Sequence, residues 1–226
     1  MPKNLSNKNR IITVVAVGMF SALAYVACAL FHFKASFLTF DLKDAVMTTG
    51  AMIFGPASGF AMALIVSLIE ALTISTTGYW GFLMNLASSA AFACTASIIY
   101  KRHRTMSGAV AAMAAASAVT VAVMIPANLI ITPIFTGTST AEVAAMVPTL
   151  LLPFNIAKVI TNAAFVFILY SPISTAVRHA GFKLSEQPLR TKSGKRYIAV
   201  ALGAASVAAA AITFFFLYLN GTVTIG

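Results

Sequence analysis

Apolar residues run along this chain in seven long stretches separated by short polar clusters. The stretches cover residues 11–31, 45–54, 57–76, 81–100, 107–135, 147–177 and 197–219. Six of them reach the ~20 residues that a membrane-crossing helix needs. The second is shorter and joins the third through Gly55-Pro56, with Gly50 and Gly59 nearby. That turn predicts an antiparallel pair with almost no inner loop. The fifth stretch is alanine-rich and is expected to break at Pro126 and Pro133. Residues 136–146 are expected to form an outer loop. Residues 32–44 are polar yet rich in aromatics, which predicts a folded loop over the outer face. Asp41 or Asp44 would cap the helix that follows, Asp44 foremost. Residues 76–80 make a short outer turn whose Tyr79 and Trp80 suit the membrane interface. The pattern is that of an all-α integral membrane protein.

Composition agrees. The chain is 60% hydrophobic and 9% charged, which excludes an ordinary soluble domain. The formal charge of +10 would suit nucleic acid or anionic lipid, but its placement points to topology. Basic residues cluster at Lys3, Lys8 and Arg10, at Lys101, Arg102 and Arg104, and between Arg178 and Arg196. Each cluster abuts an apolar stretch, as the positive-inside rule requires. The expected partner is therefore the lipid bilayer and not nucleic acid. The N-terminus is expected in the cytoplasm and is not a cleavable signal peptide, because its apolar run is long enough to span. A span over 197–226 then puts the C-terminus outside. Cys28 and Cys94 fall at opposite depths and are expected to stay free.

Depth organises the polar residues. A lysine at membrane depth costs about 3 kcal/mol, so Lys158 needs a reason. Asn155 lies three residues before it and shares its helix face. With the N-terminus inside, Glu70, Asn85, Asn128, Asn155 and Lys158 all fall in the outer third of the membrane, from four different stretches. Polar groups there must face the bundle interior or water. Together they predict an outward-opening pocket, mostly apolar with a few convergent polar groups. Amide side chains both donate and accept, which suits a polyhydroxylated or heterocyclic ligand. Plainer roles exist. Asn85 and Asn128 could tie helices together, and Glu70 could simply neutralise Lys158. Asn162, a turn further in, reads as structural. In the first stretch Gly18 and Ala22 form a small-xxx-small pair that lets another helix approach closely.

Several chemistries are excluded. There is no G-x-x-x-x-G-K-[ST] phosphate loop. His32, His103 and His179 are isolated, with no metal-ligand spacing. No nucleophile–base grouping lies at a shared depth, so an enzyme, including one acting on lipid, is not expected. No internal repeat supports an inverted-repeat carrier. Acidic residues within the membrane are too few for an evident proton relay, which weighs against a stand-alone secondary carrier. A pocket without an engine suggests a binding subunit that borrows its energy. No cofactor is expected.

Four motifs carry a resemblance: Phe37-Leu38-Thr39-Phe40-Asp41-Leu42-Lys43-Asp44, Ile53-Phe54-Gly55-Pro56-Ala57-Ser58-Gly59, Ser67-Leu68-Ile69-Glu70 and Pro153-Phe154-Asn155-Ile156-Ala157-Lys158. Over residues 10–182 the chain resembles the S component, the substrate-binding subunit of energy-coupling factor (ECF) vitamin transporters, and most of all the riboflavin-specific member. The Leu-Thr-x-Asp and Pro-Phe-Asn-x-x-Lys parts are the most specific. The resemblance implies a six-helix domain over residues 11–182 in the bacterial cell membrane, its vitamin site near the outer face under a loop acting as a lid. It implies riboflavin contacts from Leu38, Thr39, Asp41, Asn85, Asn128, Asn155 and Lys158. Glu70 stands where relatives often carry another polar residue, so it is either a contact or an ion-pair partner. Gly18 and Ala22 would dock to a membrane-embedded energising subunit served by two cytoplasmic ATPase subunits. The alternative is an S component for another vitamin. The basic linker, 183–196, and the added span, 197–226, lie beyond the family pattern.

Overall fold

The computed structural model describes residues 3–35, 37–179 and 194–220. The expected linker lies almost wholly outside the described residues. The helices are α1 (Lys3–Leu30), α2 (Lys43–Phe54), α3 (Pro56–Thr73), α4 (Gly78–Arg102), α5 (Met106–Thr136), α6 (Thr140–Met146), α7 (Leu152–His179) and α8 (Gly194–Leu219). A two-stranded antiparallel hairpin, β1 (His32–Ala35) and β2 (Leu38–Asp41), joins α1 to α2, with His32 opposite Asp41. The loop expected over residues 32–44 thus contains a small sheet within an otherwise helical membrane fold.

Six helical stretches among the described residues are long and apolar enough to cross a membrane. α2 is not one of them. Its 12 residues rise roughly 18 Å, well short of the ~30 Å hydrocarbon core. Lys43 to Met52 are nevertheless all buried, because α1, α3, α4 and α7 enclose the helix. Gly55, at φ 103, makes the turn into α3 in a conformation that favours glycine. Close approach continues at Gly59, where an added Cβ would lie 2.7 Å from that of Ala51.

Three expectations are corrected. α5 runs unbroken through Pro126 and Pro133. Each proline removes one intrahelical bond, a loss that surrounding helices and Ser/Thr side chains can offset in a membrane bundle. The segment 136–146, expected as an outer loop, holds the short helix α6, started by a reciprocal capping box between Ser139 and Glu142. A π-helical turn, Val147–Leu151, leads from it into α7. Asp44 does not cap α2. Leu42 holds the cap position, Asp41 Oδ1 accepts the Lys43 backbone N–H at 3.2 Å, and Asp44, the second residue of the helix, accepts from Ser89 Oγ at 2.5 Å.

Toward the ends of α4 and α7 and the start of α5, Ala96, Tyr100, Ala109, Ala112, Ala116 and Tyr170 form a dense apolar core. Tyr100 and Tyr170 meet edge to face, ring centroids 5.4 Å apart. The opposite end of the bundle carries the polar groups.

Candidate functional site: a polar cavity beneath the hairpin

The end of α3, the start of α4, the end of α5 and the start of α7 converge beneath the hairpin and enclose a cavity of about 100 Å³. A single water needs roughly 10–15 Å³, so the space holds several. Leu38 and Thr39 line it from β2, Glu70 from α3, Asn85 from α4, Asn128 from α5, and Asn155 and Lys158 from α7. Residues separated by up to 120 positions in the chain are thus brought to one depth and one wall system. Trp80, Met84, Phe135 and Phe154 supply apolar wall. Asp41 is not part of the lining. It is fully buried behind Lys158.

Two ion pairs set the electrostatics. Lys158 Nζ donates to Asp41 Oδ2 at 2.9 Å and to the Thr39 carbonyl at 3.2 Å. Both partners belong to β2, so the lysine ties the hairpin to α7. Asn162, one turn on, adds to that tie. Its Nδ2 donates to the Asp41 carbonyl at 3.1 Å and its Oδ1 accepts the Ala45 N–H at 2.8 Å. The structural role expected of Asn162 is therefore what the structure displays. Asp41 ends the hairpin, outside the spanning helices. Burial opposes its charge, but Lys158 and Lys43 outweigh burial and hold its carboxyl below the ordinary carboxylate range.

The second pair corrects the idea that Glu70 neutralises Lys158. Glu70 Oε2 accepts from Lys43 Nζ, and its Oε1 accepts from Asn85 Nδ2 at 2.9 Å. Lys43 also stands 3.6 Å from Asp41. The order Glu70–Lys43–Asp41–Lys158 alternates in sign, which is what lets four charges lie together out of water. Asn85 joins α4 to α3, one of the plain roles open to it. Asn128 does not bridge helices. Its Nδ2 donates to the Met124 carbonyl of its own helix at 2.8 Å, and its Oδ1 accepts from Thr132. Asn155 likewise donates back to Leu151 at 2.7 Å. Both amides are anchored within their helices while lining the cavity, an arrangement that fixes their direction before any ligand arrives.

Three comparisons bear on what this cavity serves. The family model described as "ECF transporter, substrate-specific component" matches residues 12–174. This chain belongs to that family. The S component is similar to the riboflavin transporter RibU of Staphylococcus aureus (strain TCH60), 26% identical over 184 residues, covering 77% of this chain and 95% of that protein. It is also similar to a solved structure described as "Structure and mechanism of the S component of a bacterial ECF transporter". That match has a TM-score of 0.63 and 25% identity, covering 76% of this chain and 99% of the other. The chain is thus a multi-pass protein of the bacterial cell membrane, the substrate-binding part of a transporter that works with an energising module, and its family is not one of enzymes.

Sequence reading missed several parts of the S component's site. Lys43 flanks a short apolar run, where a lysine ordinarily faces solvent, so its position alone does not mark it. The sequence signal is charge alone: a buried Glu70 needs a cation, and Lys43 and Lys158 are both candidates until the fold pairs them. Trp80, expected at the membrane interface, lines the cavity, while Tyr79 beside it is exposed. Cys28, free like Cys94, also lines it.

Proposed function

We propose that this S component binds riboflavin in the cavity beneath the hairpin and delivers it for uptake. The observation that carries the reading is the convergence of Asn128, Asn155 and Lys158 on a chamber also lined by Trp80, Met84, Phe135 and Phe154. A flavin needs both kinds of surface. Its ring system favours aromatic and thioether walls, and its ribityl chain carries hydroxyls that pair with amides. The RibU relative supports the same ligand. Leu38 and Thr39 line the chamber from the hairpin, and Glu70 and Asn85 line it as a hydrogen-bonded pair. Asp41 acts through Lys158, fixing its ammonium toward the ligand. Binding favours the closed hairpin by differential affinity for that state.

The site opens outward, with the N-terminus in the cytoplasm and the C-terminus outside, following the basic clusters. Gly18 and Ala22 lie exposed on α1, and a Cβ at Gly18 would meet nothing within 4 Å. This bare stripe suits close docking of the membrane-embedded energising subunit, with two ATPases supplying the work.

Titration of the purified chain with riboflavin tests the ligand. Trp80 is the single tryptophan of the chain. Riboflavin should quench its emission saturably while flavin fluorescence falls. If thiamine or pantothenate binds and riboflavin does not, the family assignment stands and the ligand is wrong. Uptake that follows an ion gradient with no ATPase partner present would overturn the energised-subunit reading altogether.

A further inference from the structure

α8 lies outside the family-matched stretch, which ends at residue 174. A plain membrane anchor would meet lipid all round. α8 does not. Its sheltered positions, Ala201, Ala204, Ala208, Ile212, Phe215 and Tyr218, recur every three or four residues and so form one stripe. The opposite face, with Leu202, Val207 and Phe214, is exposed. The stripe lies along α7, the helix that carries Asn155 and Lys158.

The contact is most specific at the site's own level. Phe215 is 2% exposed and meets Phe154 edge to face, with centroids 5.6 Å apart and planes at 66°. Phe154 meets Phe40 in the same manner, at 6.2 Å and 87°. Phe154 lines the cavity and immediately precedes Asn155. Phe40 stands in β2 between Thr39, which lines the cavity, and Asp41, which holds Lys158. The three rings belong to one buried cluster with Leu38, Val143 and Leu151. Without Phe215, the outer side of Phe154 would lose its ring partner, and the aromatic chain to the hairpin would have a free end.

We propose that α8 is a working part of the binding site and that Phe215 is a positioning residue, holding Phe154 and through it the hairpin strand β2 in the closed arrangement. This rests on reading the cavity as the flavin site. Its direct consequence is slow ligand release: the hairpin opens less often when its aromatic support is complete.

The experiment uses the full chain in lipid nanodiscs and two readouts. Riboflavin dissociation is followed by recovery of Trp80 emission, and amide hydrogen exchange of β2 is measured in the ligand-free protein. Phe215→Ala should speed dissociation by about tenfold, since an edge-to-face pair contributes up to roughly 1.5 kcal/mol beyond the area it buries. Exchange at Thr39 and Phe40 should accelerate in the same variant. Phe215→Leu, which keeps an apolar side chain but no ring, should fall between wild type and alanine in both. Phe214→Ala, on the exposed face, should change neither. Wild-type dissociation and wild-type β2 exchange in a folded Phe215→Ala protein would overturn the proposal, as would faster dissociation that Phe214→Ala reproduces. If the wild-type chain binds no riboflavin, the ligand reading falls by itself. The exchange measurement then decides the α8 proposal alone, since it needs no ligand.

Discussion

The two ends of this bundle solve the problem of helix association in different ways. At one end, Ala96, Ala109, Ala112 and Ala116 let α4 and α5 approach closely around the Tyr100–Tyr170 pair. Association there rests on close van der Waals contact between small residues. At the other end the helices are held by four alternating charges, two asparagines (Asn85 and Asn162) and a β-hairpin. Dispersion contacts are non-specific in direction. Ion pairs and amides are directional and are costly when half-made. The first end can therefore act as a fixed frame, whereas the second is suited to a binding event that engages or releases a few polar contacts.

That contrast can be broken most sharply at Lys158. Lys158→Met should weaken riboflavin binding by roughly a hundredfold or more, because it removes a cavity group and leaves Asp41 short of a buried partner, a loss of about 3 kcal/mol or more. Adding Asp41→Asn to Lys158→Met should raise the melting temperature above that of Lys158→Met alone, since the buried carboxylate left with only the more distant Lys43 is then gone. A double variant no more stable than that single would mean the pair is not the hairpin's tie. Glu70→Gln comes next. It strips Lys43 of its nearest countercharge, and thermal unfolding in detergent should show a loss of roughly 1–3 kcal/mol; the glutamine carbonyl can still accept from Asn85, so flavin binding should weaken far less than in Lys158→Met. Gly59→Ala probes the other end. Its Cβ would crowd Ala51, and overpacking should cost about 1–3 kcal/mol of stability. Flavin affinity should stay within about threefold, a shift below 1 kcal/mol. A large affinity loss in that variant would mean that the frame and the site are not separable. The smallest effect on binding is expected at the exposed stripe of α1: Gly18→Leu should leave flavin titration unchanged while abolishing uptake in cells.

Much of this was legible in the sequence because a membrane makes depth readable. Apolar runs give where the chain crosses, basic clusters give an expected orientation, and a polar residue's distance from the run's end gives its level. Glu70, Asn85, Asn128, Asn155 and Lys158 could be set at one depth by that reasoning alone, and the tertiary structure brings all five to one cavity. The capping box at Ser139 and Glu142 is equally legible, as Ser-x-x-Glu before an apolar run, although residues 136–146 read as a loop by composition.

What depth cannot give is rotation and partner. A helix places a residue at a level but leaves open which neighbour it faces, and pairing among several charges at one level depends on ångström distances. Only the folded arrangement decides that Lys158 takes Asp41, that Glu70 takes Lys43, and that Asp41 stands behind the cavity wall. The same holds for α8. Sequence determined that residues 197–219 form an apolar helix beyond the family domain. That Phe215 seats on Phe154, and so reaches the site, was decided by tertiary contact, because an aromatic side chain in an apolar helix suits lipid and protein equally well until its neighbours are known.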